Sequence, residues 1–413
     1  MSTQTKCSSD SAASSPGKLF AASCFALVVS AVAFGIRADI VDALAVHFRT
    51  TKEAVGWFGA GGAFWGFAIS IFIGGQLCDL LGMRALILFA CLLQILGVAG
   101  TIWSGETLSL STLGIATLLV GLGNGLVEAV INPLVATIYP DSKTHKLNLL
   151  HAWWPGGIVI GGLIGYGLSQ VGASWQVKQS VVFIPALIYG AMFIGMRVPR
   201  TERVQSGVST AEMYAEVLRP LFLVFLFCML LTAATELGPG QWMGSIMNSL
   251  AGQGILVLVW ISLIMWIGRL FAGPVVHKLS PPGMLVASAF IAAVGLLLMS
   301  TVESKAGAFL AAAVFAVGVC YFWPTMLGTT SERFPKGGAL LMGLMGAAGM
   351  TSAGFAQPLV GRILDKYDAA TALRIFAILP AALIVIFGLI YISDLCRGGY
   401  RAVRLAGDED RSE

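Results

Sequence analysis

Apolar runs of about membrane-spanning length alternate with short polar breaks along all 413 residues. A helical span needs about 20 mostly apolar residues, and twelve segments meet that requirement. Six cover approximately 19–46, 55–79, 83–103, 109–138, 148–170 and 179–198. A polar interval over 199–219 follows, with a short amphipathic piece at STAEMYAEVL, and then six more runs at 220–248, 253–277, 283–301, 306–331, 338–364 and 370–393. The pattern predicts an all-α membrane protein: a polar tail (1–18), a six-helix bundle (19–198), a linker (199–219), a second six-helix bundle (220–394) and a second tail (395–413). The two bundles look like copies. Their first spans begin about 200 residues apart, and each carries a proline-bearing turn before a glycine-rich span, IYPDSK and RFPKGG. Such repeats are expected to rock about a site near the membrane midplane.

Composition agrees and narrows the choice. Hydrophobic residues make up 57%, charged residues 11%, and mean hydropathy is +0.85, whereas soluble domains carry about 25% charged residues. The AVA at 31–33 imitates a signal-peptide cleavage site, but the apolar run from Leu19 to Ile36 is long for a signal and reads as the first span. Net charge is only +4 with scattered basic residues, so no nucleic-acid footprint exists. Of seven cysteines, Cys24, Cys78, Cys91, Cys228 and Cys320 fall inside apolar runs and read as core residues, not disulfides or metal ligands. An even number of spans puts both termini on one side. That side collects 17 of the 25 Lys and Arg, which predicts a cytoplasmic location for both termini.

Polar side chains at membrane depth mark transport pathways more often than packing. The stretch from Gly121 to Gly165 holds Asn124, Glu128, Asn132, His151, Trp153 and Trp154. Burial disfavours the charged form of a carboxyl, so Glu128 can exchange a proton as water access changes. Asp39 is expected to face the same cavity. Arg37, two residues away and on another side of the helix, reads with Asp42 as a solvated outer-face residue. Glu236 stands at nearly the repeat-related position of Asp39. The Gly238-Pro239-Gly240 after it should break the helix and present Gln241 and Trp242 to a cavity. His151 reads more readily as a hydrogen-bonded structural residue than as a proton carrier, and Trp153 and Trp154 read as interfacial anchors or as part of a binding face. Aromatics recur at Tyr321, Phe322 and Trp323, and Gln357 adds a further bonding group. An aromatic face opposite amides and a carboxylate suits a polyhydroxylated ring. Arg269 reads as structural, near the cytoplasmic end of its span. No nucleophile–base pair, phosphate loop or metal-spaced cluster is visible, so neither an enzyme nor a bound cofactor is expected, and the coupling ion is expected to be a proton.

The loop after the second run reads Gly75-Gln76-Leu77-Cys78-Asp79-Leu80-Leu81-Gly82-Met83-Arg84. It resembles the G-x-L-x-D-x-x-G-x-R signature of the major facilitator superfamily, with Gly75, Asp79, Gly82 and Arg84 at fixed positions. The second half keeps Gly268, Arg269 and Gly273 but has His277 in place of the acid. Within that superfamily, Glu128-Ala129-Val130-Ile131-Asn132-Pro133, Leu147-Asn148-Leu149 and Asp39 are similar to patches of the fucose–proton symporter branch. The resemblance implies alternating-access transport, with Asp39 and Glu128 as proton-linked and sugar-linked carboxylates. It also implies a monomer in a bacterial inner membrane, among lipid and with a small sugar-like substrate. Where that branch has an F-N pair, this chain has Trp153-Trp154, which argues against fucose itself and leaves a hexose or related polar solute. Proton-antiport efflux of amphipathic compounds is the alternative, followed by organic anion transport with Arg37 or Arg269 as counter-charge.

Overall fold

The computed structural model describes residues 14–139, 143–199, 210–252, 254–271, 279–401 and 403. The first half comprises α1 (Pro16–His47), α2 (Lys52–Val55), a π-helical turn (Gly56–Gly61) leading into α3 (Gly62–Leu81), α4 (Met83–Thr107), α5 (Leu110–Ile138), α6 (Lys143–Gln170), α7 (Trp175–Ser180) and α8 (Phe183–Ile194). After the short α9 (Thr210–Val217) come α10 (Pro220–Ala251), α11 (Ile255–Leu270), α12 (Pro281–Met299), α13 (Lys305–Val319), α14 (Phe322–Arg333), α15 (Gly338–Lys366) and α16 (Ala369–Cys396). Among the described residues, nine helical segments are long and apolar enough to cross a membrane. Adding α6, α11 and α15 gives twelve segments among the described residues, a number consistent with the hydropathy pattern. The chain is an integral membrane protein.

Helix starts differ between the two faces. On the face away from the termini, side chains cap the first turn: Thr51, Ser109, Ser174, Ser304 and Asp368 each accept a backbone N–H three residues on. On the termini face, helices open on Pro16, Pro220 and Pro281, whose missing N–H costs nothing at a first turn. Gly82 separates α3 from α4 with φ +80°, a conformation that strains any other residue.

Within the first half α3 and α4 pack on α5, and α1 packs on α6; in the second, α12 packs on α13 and α16, and α10 on α15. Small residues permit the closest approach. A Cβ on Gly121 would stand 2.1 Å from the Ala63 carbonyl, and one on Gly66 2.2 Å from that of Leu118. The halves meet through α6 against α11 and α3 against α15, pairs that exchange under the repeat.

The face away from the termini is sealed. The Asp365 carboxylate at the end of α15 accepts the backbone N–H groups of Lys52 (3.0 Å) and Glu53 (2.8 Å), capping α2 from the opposite half. Lys52 Nζ donates to Ser245 of α10 (2.7 Å) and pairs with Asp42 of α1 (2.9 Å).

Parts of the expected signature lie outside the described residues: Gly273 and His277, the turn at 140–142, and the side chains of Gln76, Asp79 and Asn148. Of the rest, a Cβ on Gly75 would meet open space. Arg84 donates to the Ile194 carbonyl at the end of α8.

Candidate functional site

Three of the expected polar residues form one chain at the centre of the first half. Glu128 is 5% exposed on α5, and one turn on, Asn132 Nδ2 donates to its Oε2 at 3.4 Å. The Asn132 amide oxygen accepts from His151 Nε2 of α6 at 3.0 Å. Since an amide oxygen can only accept, His151 carries its proton on Nε2 here. The i, i+4 spacing of Glu128 and Asn132 puts both on one helix face, and the contact of α5 with α6 brings in the imidazole.

The second half supplies a matching charged pair. Arg269 lies fourteen residues into α11, about 21 Å along it, at the level of Glu236 midway along α10. Arg269 Nη2 donates to Glu236 Oε1 (3.4 Å), and its Nε donates to the Cys320 carbonyl (3.0 Å). Both side chains are under a tenth exposed. Arg269 therefore stands in the last turn of α11, near the helix end as expected, and reaches Glu236 from there. Arg269 also lies within electrostatic range of His151, so the two polar groups face each other across the halves. Removing one member of such a buried pair costs about 3–5 kcal/mol.

Between the halves is a cavity of ≈ 30 Å³, lined by Phe34, Trp154, Glu236, Ser262, Met265 and Phe315 among others. It has room for about two water molecules, so a larger solute requires the halves to separate. Trp154 meets Phe34 at 6.1 Å between ring centroids, and Trp153 meets Trp266 of α11 at 5.7 Å. The paired tryptophans are thus seam residues between halves, not anchors at a lipid interface.

Several expected site residues lie elsewhere. Asn124 accepts from Gln94 Nε2 (2.8 Å), whose Oε1 accepts from Tyr189 (2.7 Å), a buried network inside the first half. Asp39 is paired with Lys178 of α7 at 2.7 Å, two turns from the far end of α1, and does not line the cavity. The expected break at Gly238-Pro239-Gly240 is absent: α10 runs unbroken from Pro220 to Ala251. An intact helix there loses only the bond Pro239 cannot donate, whereas a break would leave several backbone groups unpaired in lipid. Gln241 and Trp242 are consequently fully buried, with Gln241 Nε2 donating to the Phe34 carbonyl at 3.3 Å. Gln357 Nε2 donates to the Leu237 carbonyl (3.2 Å). Tyr321 donates to the Gly268 carbonyl (3.0 Å), and Trp323 packs on Gly349, so the second-half aromatics do not join Trp154 in one face. Arg37, expected in solvent, is 7% exposed, while Asp42 is half-exposed as expected.

Residues 19–340 match the family described as the Major Facilitator Superfamily. No curated protein matches the chain in sequence. Among solved structures, the E. coli fucose:proton symporter FucP is 17% identical, with 90% of this chain and 98% of that one covered and a TM-score of 0.64. The xylose transporter XylE from E. coli, in a partially occluded inward open conformation, is 13% identical over 91% and 99% of the chains, with a TM-score of 0.76. The nucleoside transporter NupG is 12% identical over 90% and 100%, with a TM-score of 0.71. At these identities the likeness establishes a shared fold.

Proposed function

The chain belongs to the Major Facilitator Superfamily, and on that premise we propose that it is a proton-coupled symporter of a sugar-like polar solute. It works by alternating access as a monomer in a bacterial inner membrane with both termini cytoplasmic. The observation that carries this reading is the buried Glu128–Asn132–His151 chain facing Arg269 and Glu236 across the seam between halves. A carboxyl held there meets water from one side only after the halves move, so proton exchange and movement are linked. Glu128, rather than the Lys178-paired Asp39, is the coupling carboxyl. Trp154 and Phe34 offer ring faces for stacking, and Glu236 and Ser262 accept hydroxyl groups. Proteoliposomes under an imposed proton gradient should accumulate at least one member of a panel of monosaccharides and their derivatives. Glu128→Gln should abolish accumulation while leaving counter-exchange of preloaded solute intact. Failure of every member of the panel to accumulate would refute the reading.

One observation favours the alternative of antiport efflux: the cavity walls are mostly apolar, with Ile158, Leu237, Leu258 and Ile261 beside the residues named above. Efflux predicts raised resistance to dyes and antibiotics on overexpression, and symport predicts none.

A further inference from the structure

The cations inside this protein are matched one by one. Lys178 has Asp39, Arg269 has Glu236, Arg333 has Asp394, and Lys52 has Asp42. Arg37 is the exception. It is 93% buried by the same measure that leaves it 7% exposed, yet among the described residues it makes no hydrogen bond and no ion pair. A buried charge without a partner is among the most expensive features a membrane protein can carry.

Its position says what the partner is for. Arg37 follows Phe34 by three residues on α1, and residues so spaced share a helix face. Phe34 lines the cavity between the halves, so Arg37 stands one turn beyond it on the side of the sealed face. The second half packs against the same turn of α1. Gln241 Nε2 holds the Phe34 carbonyl, and a Cβ on Gly244 would meet the Ala38 carbonyl at 2.9 Å. There the protein also leaves acceptors unused: the amide oxygens of Gln241 and Gln357 are fully buried and accept nothing. An unpaired guanidinium calls for an anion.

We infer that Arg37 binds a carboxylate carried by the transported solute, so that the substrate class is a polyhydroxylated carboxylate such as a sugar acid. This rests on the sugar-like symport reading above and narrows it. The guanidinium fork takes the carboxylate, and Phe34 with Trp154 takes the ring. The binding site is completed by the substrate's own charge.

The test uses purified full-length protein in detergent and matched pairs of ligands: galacturonate against galactose and glucuronate against glucose, with chloride as a control anion. Binding is read by calorimetry and by thermal shift. At least one uronate should bind about 10- to 100-fold more tightly than its neutral parent, the worth of charge-assisted hydrogen bonds. Arg37→Gln should erase that preference without weakening the neutral sugar. It should also raise the melting temperature of ligand-free protein, because it removes an uncompensated charge. Arg37→Lys should retain part of the preference. Equal binding of uronate and neutral sugar, followed by accumulation of the neutral sugar, would overturn the inference and leave the symport reading standing. Stabilisation by chloride alone, equal to that by uronate, would overturn it as well. Absence of binding by any of the four sugars, together with no accumulation across the wider panel, would overturn both.

Discussion

Asp365→Ala should loosen the seal on the face away from the termini. The carboxylate accepts two backbone N–H groups of α2 at 3.0 and 2.8 Å, and it reaches them from the other half of the molecule. It therefore acts as a helix cap that exists only while that face is closed. Loss of a capping side chain costs about 0.5–2 kcal/mol, and loss of a negative charge at a helix N-terminus adds about 0.3–1 kcal/mol when exposed. Asp365 is exposed, so the lower half of the summed range, about 1–2 kcal/mol, is the appropriate figure. Because the open state never had the contact, the whole amount appears in the closed–open equilibrium, a shift of about 5- to 30-fold. Spin labels at Val46 and Tyr367, both well exposed and flanking the seal, would read this as growth of a longer-distance population in pulsed dipolar spectra. Asp365→Asn should give a smaller shift in the same direction. Distance distributions identical to wild type in both variants would refute the capping argument, since Lys52 with Asp42 and Ser245 would then be sufficient to hold the face shut.

Two further outcomes test the division between structural and functional residues. Asn124→Leu strands Gln94 Nε2 without an acceptor and should cost about 1–3 kcal/mol, lowering the melting temperature in detergent while leaving the transport KM unchanged. Beyond α16, burial and then the Glu332 carboxylate hold the Tyr400 phenol well above its ordinary 10.0, so folding favours the protonated phenol. Its contribution is complete below about pH 10 and is lost as pH rises past that. Tyr400→Phe should flatten the fall of melting temperature with pH on that alkaline side.

Spans, repeat and family signature were legible because hydropathy and glycine placement act locally. Glu128, Asn132 and His151 were legible as polar residues in apolar runs, and their assembly needed only the neighbouring helices α5 and α6. Arg269 was visible as the one charge in an apolar helix, and its place near the end of that helix was legible too. What failed was facing. Asn124 sits one turn before Glu128 but points into its own half, toward Gln94, a partner 30 residues earlier that no periodicity reveals. Asp39 lost its expected role to Lys178, 139 residues away. The proline in α10 was read by its local chemistry, which favours a break, whereas the membrane penalises unpaired backbone more heavily.

The π-helical turn at Gly56–Gly61 makes one rod serve two masters. A π turn holds one residue more than an α turn, so the residues before it are rotated by about 100° relative to those after it. Gly56 can thus lie against Pro358 in the opposite half, while Gly62 and Gly66 bed into Thr117 and Leu118 of their own half. The rod carries its own torsional joint, with no proline or loop between the segment that closes the face and the segment that anchors it. A single-residue insertion or deletion in that turn would re-aim one segment against the other, which makes the length of this stretch, more than its composition, the property that the fold depends on.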